Sequence, residues 1–276
     1  MKYPLIAAKV SREVWALTPD VFGAIHAAIF NGQTFAMPLP APPQPGEEDE
    51  GDDDAFSTAG SLGMTRVIPV FGILGKHLDS MEMACGGCSV DRISALLTAA
   101  DKDPDCERIV MVFHSPGGTV TGIPELAAKM RDVGTRKSII AYTDGQCCSA
   151  ALWLASQADT FLVSPSACVG SVGVYNLTLD ESRRMEMEGV KVTAISDGKY
   201  KLSGAPFRAL TTEEAAQIQA RVDGIGVAFR AALTASRTIA AEDMQGQTFS
   251  GEEAVAKGFA DGLANDLQEV LEIAGG

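Results

Sequence analysis

From Thr65 onward the sequence predicts an α/β fold with a mostly parallel sheet, βαβ units and a helical C-terminal part. Two observations predict it. Short β-branched or apolar runs alternate with stretches whose apolar residues share one helix face, and the chain closes on long helical patterns. Such a succession implies right-handed crossovers between parallel strands, and no repeat at a fixed period interrupts it.

The elements follow in order. Residues 67–73 read as a first strand, and Pro69, which cannot donate to a ladder, marks it as an edge. Ile93, Leu96, Leu97 and Ala100 are spaced as one helix face. Residues 108–113 make a second buried strand that runs into Ser115-Pro-Gly-Gly118, and Ile123, Leu126, Ala127 and Met130 give the next helix. Residues 137–142 form a further strand, and residues 160–163, 169–174 and 190–195 complete the series. A helix over residues 183–188 precedes the last of these. Beyond a loop at 196–209, Leu210-Thr-Thr-Glu-Glu-Ala215 opens a long helix with acidic residues in its first turn, running to about Ser236. Residues 251–257 and 267–273 are short helical elements.

Upstream, residues 1–37 form an N-terminal appendage, with a strand near Trp15 and a short helix from about Pro19. Residues 38–64 are a linker. They carry five prolines and the acidic run at 47–54, a self-repelling composition that predicts disorder. Residues 65–276 are the main domain.

At 276 residues and 46% hydrophobic content the chain has enough apolar material for a sizeable core. A formal charge of -14 argues against binding nucleic acid or an anionic membrane. No apolar run reaches the roughly 18 residues needed to span a bilayer, and the N-terminus lacks a signal-peptide pattern, so a cytoplasmic location with reduced cysteines is expected. Cys85-Gly-Gly-Cys88 is a lone pair with no second pair at zinc spacing, and no metal or cofactor is expected.

The stretch from Asp144 to Ser156 organises the rest. A β-branched strand turns at Ser149 into a helix that is apolar on most sides. A side chain at such a turn meets unpaired backbone N–H groups and the positive end of the helix dipole. A serine there is most often only an N-cap, so the remaining residues must supply the case for a nucleophile. Acyl transfer needs a base and oxyanion donors as well. Ser115-Pro-Gly-Gly118 offers donors, because consecutive glycines let backbone approach a substrate. Cys147 and Cys148 flank Ser149 but project in other directions.

No histidine follows His114, so a triad with histidine after the serine is excluded, and His114 itself suits packing at a strand end. Lysine is the remaining base. Lys199 and Lys201 lie in one loop, and the chemistry alone leaves both open, since either would have to lose its proton near neutrality.

Together, Ser115-Pro-Gly-Gly118, the Ser149 helix start, Val169-Gly-Ser-Val-Gly-Val174, Tyr200-Lys201 with the following Pro206-Phe-Arg208, and Phe249-Ser-Gly-Glu-Glu-Ala-Val-Ala-Lys-Gly258 resemble the signal peptide peptidase A family. Its members are Ser/Lys peptidases with a Clp-protease/crotonase-like fold, and the resemblance covers about residues 65–265. It implies Ser149 as nucleophile, Lys201 as general base, Ser171 as the lysine-orienting hydroxyl, and backbone N–H groups near Gly118 and of Ala150 as the oxyanion hole. His114 stands where the family often has Asp, and Ala150 and Ala151 where it often has glycines. The N-terminal appendage and the stretch before the first helix look more like the phage head-maturation branch. That branch implies protein substrates such as scaffold, portal or other head proteins, action in the host cytoplasm or inside the prohead, and a homo-oligomer whose active sites can be shared between protomers. A general or signal-peptide hydrolase and a catalytically silent assembly protein are the alternatives.

Overall fold

The computed structural model describes residues 14–18, 21 and 64–275. Its strands are β1 (Trp15–Leu17), β2 (Thr65–Phe71), β3 (Ile73–Gly75), β4 (Gly87–Ser89), β5 (Arg108–His114) and β6 (Gly117–Thr119), followed by β7 (Ser138–Thr143), β8 (Gln146–Cys148), β9 (Thr160–Val163), β10 (Cys168–Gly170), β11 (Thr248–Ser250) and β12 (Gly262–Leu263). The helices are α1 (Ser80–Ala84), α2 (Val90–Lys102), α3 (Ile123–Gly134), α4 (Ala150–Ala155), α5 (Ser182–Met187), α6 (Thr212–Thr234), α7 (Gly251–Ala256) and α8 (Leu267–Gly275).

Five strands, in the order β12-β9-β7-β5-β2, form an all-parallel sheet. The expected α/β architecture with a mostly parallel sheet and a helical C-terminal part is present. β5 is flanked on both edges, which is why Ile109, Val110, Met111, Val112 and Phe113 are all buried. β2 lies at the edge, and Pro69 faces solvent there.

Two smaller sheets carry the loops that leave this one. β1-β6-β3-β4 is mixed, with β1 antiparallel to β6 and the other pairs parallel. β11-β10-β8 pairs β10 parallel to β8 and antiparallel to β11.

The helices bury the faces their sequences present. Ser89 caps α2, accepting from the Arg92 amide, and Val90, Ile93, Leu97 and Ala100 point inward. α4 is buried at every position, as an all-apolar hexamer must be. Trp153 of α4 stacks on Phe229 of α6 with ring centroids 4.7 Å apart and planes 6° apart. Such a pair adds about 0.5–1.5 kcal/mol beyond its burial, and it fastens the long C-terminal helix to the short helix behind Ser149.

Two expected strands differ. The run at 169–174 is extended only to Gly170, because Gly170 (φ 136°), Ser171 (φ 57°) and Gly173 (φ 157°) leave the β region. Residues 190–195 form no strand. Val190, Val192 and Ile195 are 51%, 43% and 96% exposed, so the β-branched side chains find no neighbours to pack against, and packing is what strand propensity reports.

At the N-terminus the expected strand is β1, whereas the helix expected from Pro19 lies outside the described residues apart from Val21. The expected linker at 38–64 likewise lies outside them, apart from Met64. β1 is not held apart from the main domain. Val14, Trp15, Ala16, Leu17 and Thr18 are all buried in it.

Candidate active site

The site begins with the Ser-Pro-Gly-Gly turn at the end of β5. The Ser115 hydroxyl donates to the Gly72 carbonyl at 2.6 Å and accepts from the Gly117 amide at 3.2 Å, so the serine closes the turn on itself and ties it to β2. The Ser115 amide donates to the Gln146 carbonyl at 2.6 Å, and Cys148 returns a bond to the Ser115 carbonyl at 3.1 Å. The turn and the approach to Ser149 are therefore one hydrogen-bonded unit.

Ser149 sits between β8 and α4 with φ 54° and ψ -117°. A non-glycine residue in this region costs of order 1–3 kcal/mol and persists only where the surroundings fix it. Two backbone bonds do so: the Ser149 amide donates to the Gly170 carbonyl at 2.8 Å, and its carbonyl accepts from Trp153 at 2.9 Å. The side chain makes no capping bond to its own helix. Ser149 is 1% exposed, and its hydroxyl has no hydrogen-bond partner among the described residues. Ser149 thus occupies the N-cap position of α4 without its side chain capping the helix, and a buried hydroxyl with no partner is held at a cost.

Gly117 completes the wall. A Cβ built on it would stand 3.0 Å from Ser149 Cβ and would collide with the Ala16 carbonyl oxygen, and Gly117 has φ 105°. Only glycine fits there. Gly118, the residue predicted from sequence, is one step further on, paired with Ala16 on one side and Leu74 on the other. The contact to Ser149 through Gly117 was missed, although the motif that would have found it is the same Ser-Pro-Gly-Gly. Ala150 begins α4 directly after Ser149, so its N–H lies in the first turn, where amides lack intrahelical acceptors.

Ser171 adjoins Ser149 through the Gly170 carbonyl, and its amide donates to Gln247 at 2.6 Å. Its φ of 57° and near-complete burial show that this turn, too, is fixed by its surroundings. No hydrogen bond joins Lys201 to Ser149. It is exposed on the loop before α6, and among the described residues its ammonium has no ion pair or hydrogen bond, its amide alone bonding to Gly198. Lys199 differs. It is paired with Glu213, which also accepts from the Tyr200 hydroxyl at 3.2 Å. The hydrogen bond to Glu213 holds the Lys199 ammonium above its ordinary pKa, the wrong direction for a base at neutral pH.

Arg208 fastens this loop. Its guanidinium donates to the Leu202 carbonyl at 3.0 Å and grips Glu214 through two bonds of 2.8 and 2.5 Å. Glu214 also closes a capping box with Thr211 at the start of α6. The Arg208 guanidinium and the Thr211 amide hold the Glu214 carboxyl down at about 2.

His114 packs edge-on against Phe71, with centroids 6.5 Å apart, and Gly145 allows it to lie close to the β7–β8 turn. Burial raises the Cys147 thiol well above its ordinary range and pushes Cys88 up to about 12. Both stay protonated near neutral pH, so neither is a poised nucleophile. Among the described residues no group of three or more His, Cys, Asp or Glu side chains is placed to hold a metal ion, and no helix is long and apolar enough to cross a membrane.

Capsid assembly protease C of Escherichia phage lambda is 30% identical over 229 residues, covering 80% of this chain and 52% of that protein. The head-tail preconnector protein of Enterobacteria phage P21 is 30% identical over 202 residues, covering 72% of this chain and 40% of that protein. Protease 4 of Salmonella typhi is 24% identical, covering 77% and 35%. The chain thus spans about half the length, or less, of these relatives. Among solved structures, a membrane-bound stomatin-specific protease is 15% identical with a TM-score of 0.42, covering 76% of this chain and 84% of that one. An enoyl-CoA hydratase/isomerase family member is 15% identical with a TM-score of 0.44, covering 77% and 70%. A family model described as peptidase family S49 matches residues 131–274, more than half of the sequence, and the chain belongs to that family.

Proposed function

We propose that this chain is a serine endopeptidase with a Ser149/Lys201 dyad that cleaves phage head proteins during capsid maturation. The observation that carries the proposal is the Ser149 hydroxyl itself: buried, unclaimed by its own helix, and held at a strained strand-to-helix turn against Gly117. A backbone conformation of this cost at a serine is accounted for if the hydroxyl must be aimed at a substrate carbonyl.

In this reading the neutral Lys201 amine takes the Ser149 proton as Oγ attacks the scissile carbonyl. The same ammonium then protonates the leaving amine, and water hydrolyses the acyl-enzyme. Amides near Gly118 and of Ala150 stabilise the oxyanion, and Ser171 orients the lysine amine. Choice of Lys201 over Lys199 is supported by the ion pair that already occupies Lys199. Since Lys201 is exposed and the Ser149 hydroxyl has no partner, the dyad must be completed by movement of the 196–209 loop or by the loop of a neighbouring protomer. Completion by a neighbour would keep the peptidase silent until it assembles.

The lambda and P21 relatives, one of them a capsid assembly protease, support head proteins such as scaffold or portal as substrates, and the host cytoplasm or the prohead interior as the place of action. The decisive experiment is co-expression of a candidate scaffold protein with the wild-type chain or with Ser149→Ala, followed by intact mass. Products seen only with the wild type support the proposal and locate the cleavage sites. An uncut scaffold with both, while the chain assembles normally, points to a catalytically silent assembly protein.

A further inference from the structure

The strand β1 lies beside Ser149. It is inserted between two backbone edges. On one side it runs antiparallel to β6, pairing Trp15 with Thr119, Ala16 with Gly118 and Leu17 with Gly117. On the other, Trp15 exchanges both backbone bonds with Tyr175, at 2.9 and 3.0 Å. Further bonds run from the Thr18 amide to Pro116 at 3.2 Å and from the Val120 amide to Val14 at 3.1 Å. An extended peptide held on both edges in this way gains affinity from main-chain bonds and specificity from alternate side chains.

The position of β1 relative to the nucleophile gives the contact its meaning. The Ala16 carbonyl and Ser149 Cβ both crowd the point where a Cβ on Gly117 would stand, so the two are neighbours across the glycine. Residues 14–18 are all buried, and with them in place Ser149 is 1% exposed. Another protein's peptide bond cannot reach a hydroxyl so covered, and the edges of β6 and Tyr175 that would align it are already paired.

We infer that residues 14–18 are an internal occupant of the peptide groove, and that cleavage of another protein requires this strand to leave. The inference rests on the reading of Ser149 as nucleophile. It assigns the groove between β6 and Tyr175 to extended peptides with a large apolar residue at the Trp15 position and a small one at the Ala16 position, where the Gly118 backbone lies opposite. Tethering to the same chain gives the occupant a high effective concentration, so competing substrates gain access where they are concentrated, or once the tether is cut.

The test uses the full chain carrying Ser149→Ala, with and without Trp15→Ala, so that binding is read without chemistry. A fluorescent peptide of residues 11–20 should bind saturably and more tightly when the internal strand is weakened, and a Trp15→Asp peptide should bind at least about tenfold more weakly than the wild-type peptide; equal binding by the two chains, both folded in far-UV circular dichroism, overturns the inference. With Ser149 intact, the Trp15→Ala chain should cleave a peptide substrate faster than the wild type. Slower cleavage with peptide binding preserved would make β1 a necessary part of the site instead. A failed nucleophile appears separately, as peptide binding without any Ser149-dependent cleavage.

Discussion

Ser149 and Gly117 stand side by side, the serine on a strained turn and the glycine with φ 105°, its missing side chain leaving the space that a Cβ would occupy 3.0 Å from Ser149 Cβ. Two separate segments thus give up ordinary backbone geometry at one point. Gly117→Ala should therefore be severe. The new methyl meets the Ala16 carbonyl, which is backbone and cannot turn aside, at a φ that side chains avoid. Overpacking alone costs about 1–3 kcal/mol. A lowered Tm is the expected outcome, and a variant with wild-type Tm would show that β1 does not press on this glycine as described.

Ser149→Ala should abolish cleavage and yet raise stability. The hydroxyl is buried with no partner, and removing such a group relieves a desolvation penalty of about 1–3 kcal/mol. Ser149→Gly should gain further by relaxing φ 54°. Denaturant unfolding of the three proteins checks this; an alanine variant less stable than the wild type would mean that the hydroxyl is satisfied in solution.

Lys201→Ala and Lys201→Arg should each remove activity, the second because a guanidinium does not give up its proton near neutral pH. Lys199→Ala should be mild, costing at most an exposed ion pair of about 0–1 kcal/mol. Measuring kcat/KM for the three variants on one peptide substrate separates the lysines. A Lys201→Ala protein of near-normal activity would sink the dyad.

Local pattern made much of this legible. Pro69 announced an edge strand, the β-branched run before Ser149 announced a buried one, and the apolar hexamer after it announced a buried helix, because each is decided by neighbours in sequence. The 190–195 run misled for the opposite reason: its alternation reports a propensity, while a strand also needs a partner and a packed face, and Val190, Val192 and Ile195 stay exposed. The pairing of Trp15-Ala-Leu with Gly117-Gly-Thr was beyond reach in the same way. Three extended residues do not specify which distant edge they join. The ion pair between Lys199 and Glu213 was beyond the loop sequence as well, because only the fold brings Glu213 to Lys199.

The loop that carries Lys201 should respond to acid through Glu214. Arg208 bridges the Leu202 carbonyl, next to Lys201, to the Glu214 carboxylate at the start of α6. The Glu214 pKa is about 2 in the folded chain against an ordinary 4.5, so the folded state binds fewer protons than the unfolded state between these values. Its contribution is complete above the ordinary pKa and is lost as pH falls through about 2. Glu214→Gln should therefore lower Tm at pH 7, and the gap between wild type and variant should narrow as pH is taken from about 5 to 2. The variant should also lower kcat/KM at pH 7, since Arg208 then loses its charged anchor and the Leu202 carbonyl its fixed donor. A Tm gap that stays constant down to pH 2 would show that the ion pair contributes nothing to holding this loop.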